Sequence, residues 1–127
     1  GGHIISGHVD CKAEVVGIET PENNKVMTFK VPTNWMKYIF AKGFISVNGC
    51  SLTVTNPQRS LATFQVWFIP ETLSITTFGD KSVGDQVNIE VERSTQVLVD
   101  TVEAQLERYL GPLLPKLRDL LREPSGS

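Results

Sequence analysis

The 127-residue sequence has little of what defines several large classes of protein. Its two cysteines, Cys11 and Cys50, carry no metal-site spacing and, with no signal peptide in view, are expected to be free thiols in a reducing compartment. No apolar run approaches the roughly 18 residues that a membrane-spanning helix needs. The net charge of −2 leaves no basic excess for binding nucleic acid or an anionic membrane. A single domain with at most one appendage, and with neither nucleic acid nor membrane as partner, is therefore expected.

The residues between Lys12 and Glu92 are typical of short β-strands separated by turns. Alternation of polar and apolar residues predicts strands over 12–19, 26–31, 44–48, 51–55, 61–68 and 86–91. A short helix is predicted over 34–41, and Gly49-Cys50 joins two strands in what is close to a hairpin signature. Since crossovers long enough for a parallel sheet are missing, a closed antiparallel barrel or a small sandwich is expected.

A helical period begins after Glu92. Apolar residues recur there in steps of three and four, at Val99, Val102, Leu106, Tyr109 and Leu113. A lone helix with such a stripe needs a surface that buries it, so it either lies on its own barrel or pairs with copies of itself, and we favour self-association. The predicted domains are a barrel over 1–92, a helical oligomerisation segment over 93–122, and a flexible tail or cloning remnant over 123–127.

The first ten residues are rich in glycine and histidine. His3, His8 and Asp10 are metal-ligand types, but a histidine spacing of five on a glycine-rich loop is not a known ligand pattern, and no second cluster completes it. A backbone turn with one or two hydrogen-bonding imidazoles is the simpler interpretation. No metal site is therefore predicted.

Other polar residues stand close to the predicted strands. Ser51 follows a cysteine, but no Gly-x-Ser-x-Gly elbow surrounds it, and no partner base can be assigned. Ser51 and Thr53 share one strand face, for which a solvated surface is the default interpretation. Lys42 is by default a surface lysine, and Thr72 a helix cap. On the residues alone, the sequence indicates a β-barrel with polar loop clusters and an association helix.

Five stretches, in this order, closely resemble the C-terminal barrel of riboflavin synthase. They are GGHIISGHVD (1–10), KGFISVNGCSLTV (42–54), IPETLSITT (69–77), GDQVNIE (84–90) and TQVLVDTVE (95–103). The resemblance implies an all-β fold, a six-stranded antiparallel Greek-key barrel with a C-terminal association helix. It also implies dismutation of 6,7-dimethyl-8-ribityllumazine into riboflavin and a ribitylamino-pyrimidinedione, with no metal or redox cofactor.

The resemblance assigns roles to residues that composition alone leaves open. The expected catalytic residues are His8, Ser51 and Glu92. The expected substrate-binding residues are Lys42, Ser51, Thr53, Ile69 and Thr72. Glu92 stands where bacterial members are expected to carry aspartate, so its carboxylate is displaced by one methylene. His3 is expected to be a structural hydrogen-bonding residue.

The family's subunit has two such barrels and forms a trimer through its helix. The active site lies between the N-terminal barrel of one subunit and the C-terminal barrel of the next. This chain matches one barrel, so we expect it to bind lumazine or riboflavin with little or no turnover alone. The alternatives are a non-catalytic lumazine- or flavin-binding module, as in the related fluorescent lumazine proteins, and a barrel-plus-helix trimerisation unit. The expected location is the cytoplasm, or the plastid in a plant.

Overall fold

A computed structural model describes residues 7–122, so the expectations for His3 and for the tail 123–127 lie outside the described residues. The chain divides after Arg93 into two compact units. The strands are β1 Cys11–Glu19, β2 Lys25–Lys30, β3 Phe44–Val47, β4 Cys50–Thr53, β5 Thr55–Gln58, β6 Thr63–Phe68 and β7 Gln86–Glu90. The α-helices are α1 Pro70–Ile75, α2 Arg93–Leu110 and α3 Leu114–Arg122. Short 3₁₀ helices cover Pro21–Asn23, Thr33–Tyr38, Thr77–Asp80 and Gly111–Leu113.

The strands form one antiparallel sheet with the order β4-β3-β7-β1-β2-β6-β5. The two edge strands, β4 and β5, follow each other in the chain and are separated only by Val54. Because they are directly connected, the two edges of the sheet must meet, and the sheet curls into a nearly closed barrel. The Val54 N–H donates to Gly43 O at 2.8 Å, and Val54 O accepts from the Lys42 N–H at 2.8 Å, which fixes this corner.

The barrel has seven strands, so the prediction of six was wrong. The additional strand is β5, where Asn56-Pro57 had the composition of a turn. Proline lacks an N–H but is tolerated in an edge strand, where that group has no partner to lose. The pairing of β5 with β6 shifts register between Thr55 and Gln58, which lets the chain pass the proline.

The predicted alternation within β6 is confirmed. Phe64, Val66 and Phe68 are each at most 2 % exposed, whereas Trp67 is 53 % exposed. Aromatic rings fill the core, with Phe64 packed on Phe29 at a centroid distance of 5.4 Å. Inward residues therefore build one continuous core, and the outward side chains remain available for a ligand.

The turn between β3 and β4 consists of Asn48 and Gly49, one residue earlier than the predicted Gly49-Cys50. Their φ angles are 48° and 81°, the left-handed geometry of a type I′ hairpin turn. Asn and Gly adopt these angles at low cost, which explains the position of the turn. The helix predicted over 34–41 is a 3₁₀ helix, Thr33–Tyr38.

The second unit contains α2 and α3, separated by the 3₁₀ helix Gly111–Leu113 where the sequence places Gly-Pro. The predicted stripe on this unit carries exposed apolar side chains, namely Val102, Leu106, Tyr109 and Leu113. No helix within residues 7–122 is both long and apolar enough to span a membrane.

The two thiols are predicted to react slowly. Burial, and secondarily the charge of Asp10, raises the pKa of Cys11 from 9.0 to about 11, and burial also raises the pKa of Cys50. At pH 8 the thiolate fraction of Cys11 is then about a hundredfold below that of an ordinary thiol. Mass spectrometry of a Cys50→Ser variant should show correspondingly slow alkylation of Cys11 by iodoacetamide, restored by denaturant. Equal rates in the folded and unfolded chain contradict this prediction.

Candidate functional site

Three hydrogen bonds join the start of the described chain to the end of β7. The Gly7 N–H donates to Glu90 Oε2 at 3.1 Å. The Asp10 N–H donates to Ile89 O at 2.8 Å, and the Val91 N–H donates to Asp10 Oδ2 at 2.7 Å. We call these three bonds the terminal clamp. The clamp holds two segments about eighty residues apart in the sequence against each other.

The terminal clamp brings two of the expected catalytic residues to one end of the barrel. His8 is exposed and lies between Gly7 and Asp10, both of which are fixed by clamp bonds. Glu92 is half-buried and follows Val91, which is also held by the clamp. An imidazole and a carboxylate therefore occur at the same edge, as a site with acid–base chemistry requires.

Ser51, the third expected catalytic residue, belongs to a row of outward side chains that leads to the clamp. Ser51 on β4 lies opposite Ser46 on β3, and Ser46 lies opposite Glu90 on β7. The Cβ atoms of directly opposite residues lie about 4.5–5.5 Å apart. This row connects Ser51 with the carboxylate that accepts a hydrogen bond from Gly7.

The outer face of the β3–β4 hairpin combines hydroxyl groups with an exposed ring. Thr53 lies opposite Phe44, and both are exposed. Lys42 is also exposed and enters β3 with a φ of 68°, the left-handed region. The prediction that Ser51 and Thr53 share an outward face is confirmed, because the alternate residues Leu52 and Val54 are buried. Hydroxyls beside an aromatic surface suit a planar, neutral heterocycle.

The expected residues Ile69 and Thr72 lie where β6 passes into α1. Ile69 directly precedes α1 and is 50 % exposed. Thr72 is half-buried within α1, and its carbonyl accepts a hydrogen bond from Thr76 Oγ1 at 2.9 Å. Pro70 occupies the first turn of α1, where a missing N–H has no cost, and this explains why the strand ends there.

Strand pairing relates this segment to the hairpin. Thr55 on β5 is paired with Gln65 on β6, and β4 also contacts β6. Continuing this antiparallel register back through the corner at Val54 brings Thr53 level with Trp67 and Ser51 level with Ile69. The expected residues thus fall in two groups, one on the β4–β6 face and the other at the terminal clamp.

A cavity of about 240 Å³ lies beside the clamp. It is lined by Gly7, Val9, Ser46, Asn48, Gly49, Asn88, Ile89 and Glu90. Among residues 7–122 no group of three or more histidine, cysteine, aspartate or glutamate side chains could hold a metal ion. The polar groups here are hydroxyls, amides and a carboxylate, which suit hydrogen bonding to an organic ligand.

Sequence reasoning missed four residues of this surface, namely Phe44, Ser46, Trp67 and Glu90. Strand alternation alone could have placed them all on the outer face. An outward aromatic such as Trp67 was the clearest signal, because large exposed rings on a β-strand are candidates for ligand contact. Their grouping depends on strand order, which the sequence pattern does not contain.

Comparison with known proteins matches residues 6–92 to the lumazine binding domain family. Riboflavin synthase from Escherichia coli (strain K12) is 51 % identical over 109 residues, covering 84 % of this chain and 49 % of the relative. Riboflavin synthase from Buchnera aphidicola subsp. Schizaphis graminum (strain Sg) is 44 % identical over 114 residues, covering 89 % and 54 %. The chain thus spans about half the length of the curated relatives it matches.

Solved structures show the same fold. LumP complexed with 6,7-dimethyl-8-(1'-D-ribityl) lumazine superposes with a TM-score of 0.64 at 24 % identity, covering 71 % of this chain and 49 % of that chain. LumP complexed with riboflavin gives a TM-score of 0.66 at 23 % identity, covering 72 % and 48 %. At this identity the likeness establishes the barrel architecture.

Proposed function

The chain belongs to the lumazine-binding domain family, and we propose that it is the C-terminal lumazine-binding half of a riboflavin synthase. The observation that carries the proposal is the outer face of the β3–β4 hairpin, where the hydroxyls of Ser51 and Thr53 lie beside the exposed ring of Phe44. The similarity to riboflavin synthases, which extends over 84 % of the chain, supports the same function.

The proposed substrate is 6,7-dimethyl-8-ribityllumazine, a neutral heterocycle with a polyol chain. Phe44 and Trp67 provide apolar walls for its flat ring, while Ser51 and Thr53 provide hydroxyls for its polar atoms. Ile69 and Thr72 hold the edge of the heterocycle, and the exposed Lys42 lies near the ribityl chain. Binding needs no charged side chains around the ring, because the ligand itself is neutral.

The proposed reaction transfers a four-carbon unit from one lumazine to another. It begins with loss of a proton from the 7-methyl group of one lumazine, which gives an anion delocalised into the ring. His8 accepts this proton, Ser51 donates a hydrogen bond to the ring, and Glu92 assists proton transfer. Positioning of the two lumazine rings then provides most of the rate enhancement. The proposed chemistry needs no metal or redox cofactor.

The active site is proposed to be shared between subunits. One barrel binds one lumazine, and the second lumazine is held by the N-terminal barrel of a neighbouring subunit. The barrel is of the Greek-key type, and the exposed stripe on the helical unit supports a trimer. A cytoplasmic location belongs to the same proposal, and the free thiols Cys11 and Cys50 support it.

A lumazine titration followed by product analysis tests the function. We expect saturable fluorescence changes at one lumazine per chain, with little or no riboflavin after long incubation. One barrel alone does not hold the second lumazine that the reaction needs. Ser51→Ala should weaken binding roughly fivefold, the effect of one lost hydrogen bond. Riboflavin formation at a rate typical of a whole enzyme would contradict the shared site, and absence of binding would contradict the function itself.

A matched substitution separates local from general effects. Thr53→Val removes a hydroxyl from the proposed face and keeps the shape of the side chain. Thr33→Val makes the same change at an exposed residue of the 3₁₀ helix that follows β2. Only the Thr53 variant should lose lumazine affinity, and equal losses in both would show that the face is not the binding surface.

A further inference from the structure

Ser46 has an unusual environment for an outward side chain. Its neighbours Ile45 and Val47 point into the core and are 1 % and 0 % exposed. Alternation therefore directs Ser46 to the outside of β3, where a small polar residue normally contacts water. Ser46 is nevertheless only 1 % exposed.

The Ser46 hydroxyl has no hydrogen-bond partner among residues 7–122. A buried hydroxyl without a partner is unfavourable and calls for an explanation. Ser46 lines the cavity beside the terminal clamp, together with the carboxylate-bearing Glu90, which is 7 % exposed. A cavity that presents an unsatisfied hydroxyl is suited to a ligand that completes its hydrogen bonding.

The cavity adjoins the proposed lumazine face. Ser46 lies directly opposite Ser51, so the two residues stand on neighbouring strands with a spacing of roughly 4.8 Å. A ligand seated on Ser51 can reach the cavity without crossing another strand. Asn48 and Asn88 also line the cavity, and the Asn88 N–H donates to Asn48 Oδ1 at 2.7 Å.

We propose that this cavity is an additional subsite for the heterocycle, in which Ser46 hydrogen-bonds a neutral polar edge of the ring and contributes to ligand selection. The inference rests on the proposed lumazine-binding function. Glu90, an acidic residue that lines the cavity, disfavours an anionic group there, so the matching chemistry is a neutral carbonyl or N–H edge.

Substitution of Ser46 distinguishes a role in ligand binding from a structural role by two measurements, the melting temperature and the lumazine dissociation constant. Ser46→Ala removes an unsatisfied hydroxyl, so the melting temperature should stay constant or rise, while the lumazine dissociation constant rises about threefold to tenfold. Ser46→Val also projects two methyl groups into the cavity, so its loss of affinity should exceed tenfold. Ser82→Ala, in the exposed loop before the opposite end of β7, is the matched control and should change neither quantity.

The outcomes distinguish the inference from the function on which it rests. If the wild-type chain binds lumazine and both Ser46 variants bind it with the same affinity, the subsite is overturned and the lumazine-binding function stays intact. A lower melting temperature of Ser46→Ala than of Ser82→Ala would show a structural partner for the hydroxyl and would also overturn the subsite. A wild-type chain that does not bind lumazine would overturn both.

Discussion

Replacement of Val102 or Leu106 by aspartate is expected to convert the proposed trimer into monomers while the barrel stays folded. The two side chains are 49 % and 53 % exposed and lie on the apolar stripe of α2. In a self-associated helix the stripe becomes buried, and an unpaired carboxylate there costs several kcal/mol per subunit. Sedimentation velocity measures the change in mass, and the melting temperature reports on the barrel.

Gln105→Asp is the control for this experiment. Gln105 is exposed on the same helix but lies outside the stripe, so this variant adds the same charge without entering the interface. The Gln105 variant should remain trimeric. A wild-type chain that is monomeric at every concentration would contradict both the trimer and the interpretation of the stripe.

Lys25→Met is expected to be the most destabilising single substitution outside the apolar core. Lys25 is only 9 % exposed, and its Nζ donates to Phe78 O at 2.8 Å, to Gly79 O at 3.1 Å and to Lys81 O at 3.4 Å. Methionine keeps the length of the side chain but removes the ammonium donor, so that Phe78 O keeps only the Lys81 N–H at 3.3 Å and the other two carbonyls lose their Lys25 contact. Unsatisfied buried groups cost about 1–3 kcal/mol each, and partial solvation brings the expected total to about 3 kcal/mol.

This loss corresponds to a decrease of roughly 10–20 °C in melting temperature for a barrel of this size. Lys30→Met provides the control, because Lys30 lies on the same strand and is exposed. That variant should melt close to the wild type. Equal decreases in the two variants would show that the three carbonyl contacts of Lys25 do not stabilise the fold.

Strand alternation predicted most of the barrel, and its failures have local causes. The strands with strong apolar contrast, such as β6, were correctly predicted because a period of two separates core from surface. The strand β5 was missed because Asn56-Pro57 normally indicates a turn, and only the position at a sheet edge permits a strand there.

The candidate site was less accessible to sequence reasoning. Alternation placed Ser51 and Thr53 on one face, but it could not bring His8 near Glu92, because the terminal clamp depends on pairing across the whole barrel. Ser46 is a second example of a feature that the sequence pattern predicts only in part. Its outward position follows from alternation, whereas its burial depends on the neighbouring strands β4 and β7, whose pairing with β3 the sequence pattern does not contain.

The central claim is that lumazine binds on the outer face of β4 and at the start of α1. The most direct measurement is a ¹H–¹⁵N NMR titration of the chain with 6,7-dimethyl-8-ribityllumazine. We predict saturable shifts that concentrate at Ser46, Ser51, Thr53, Ile69 and Thr72. No saturable shifts, or shifts confined to the loop 82–85 at the opposite end of β7, would contradict the account.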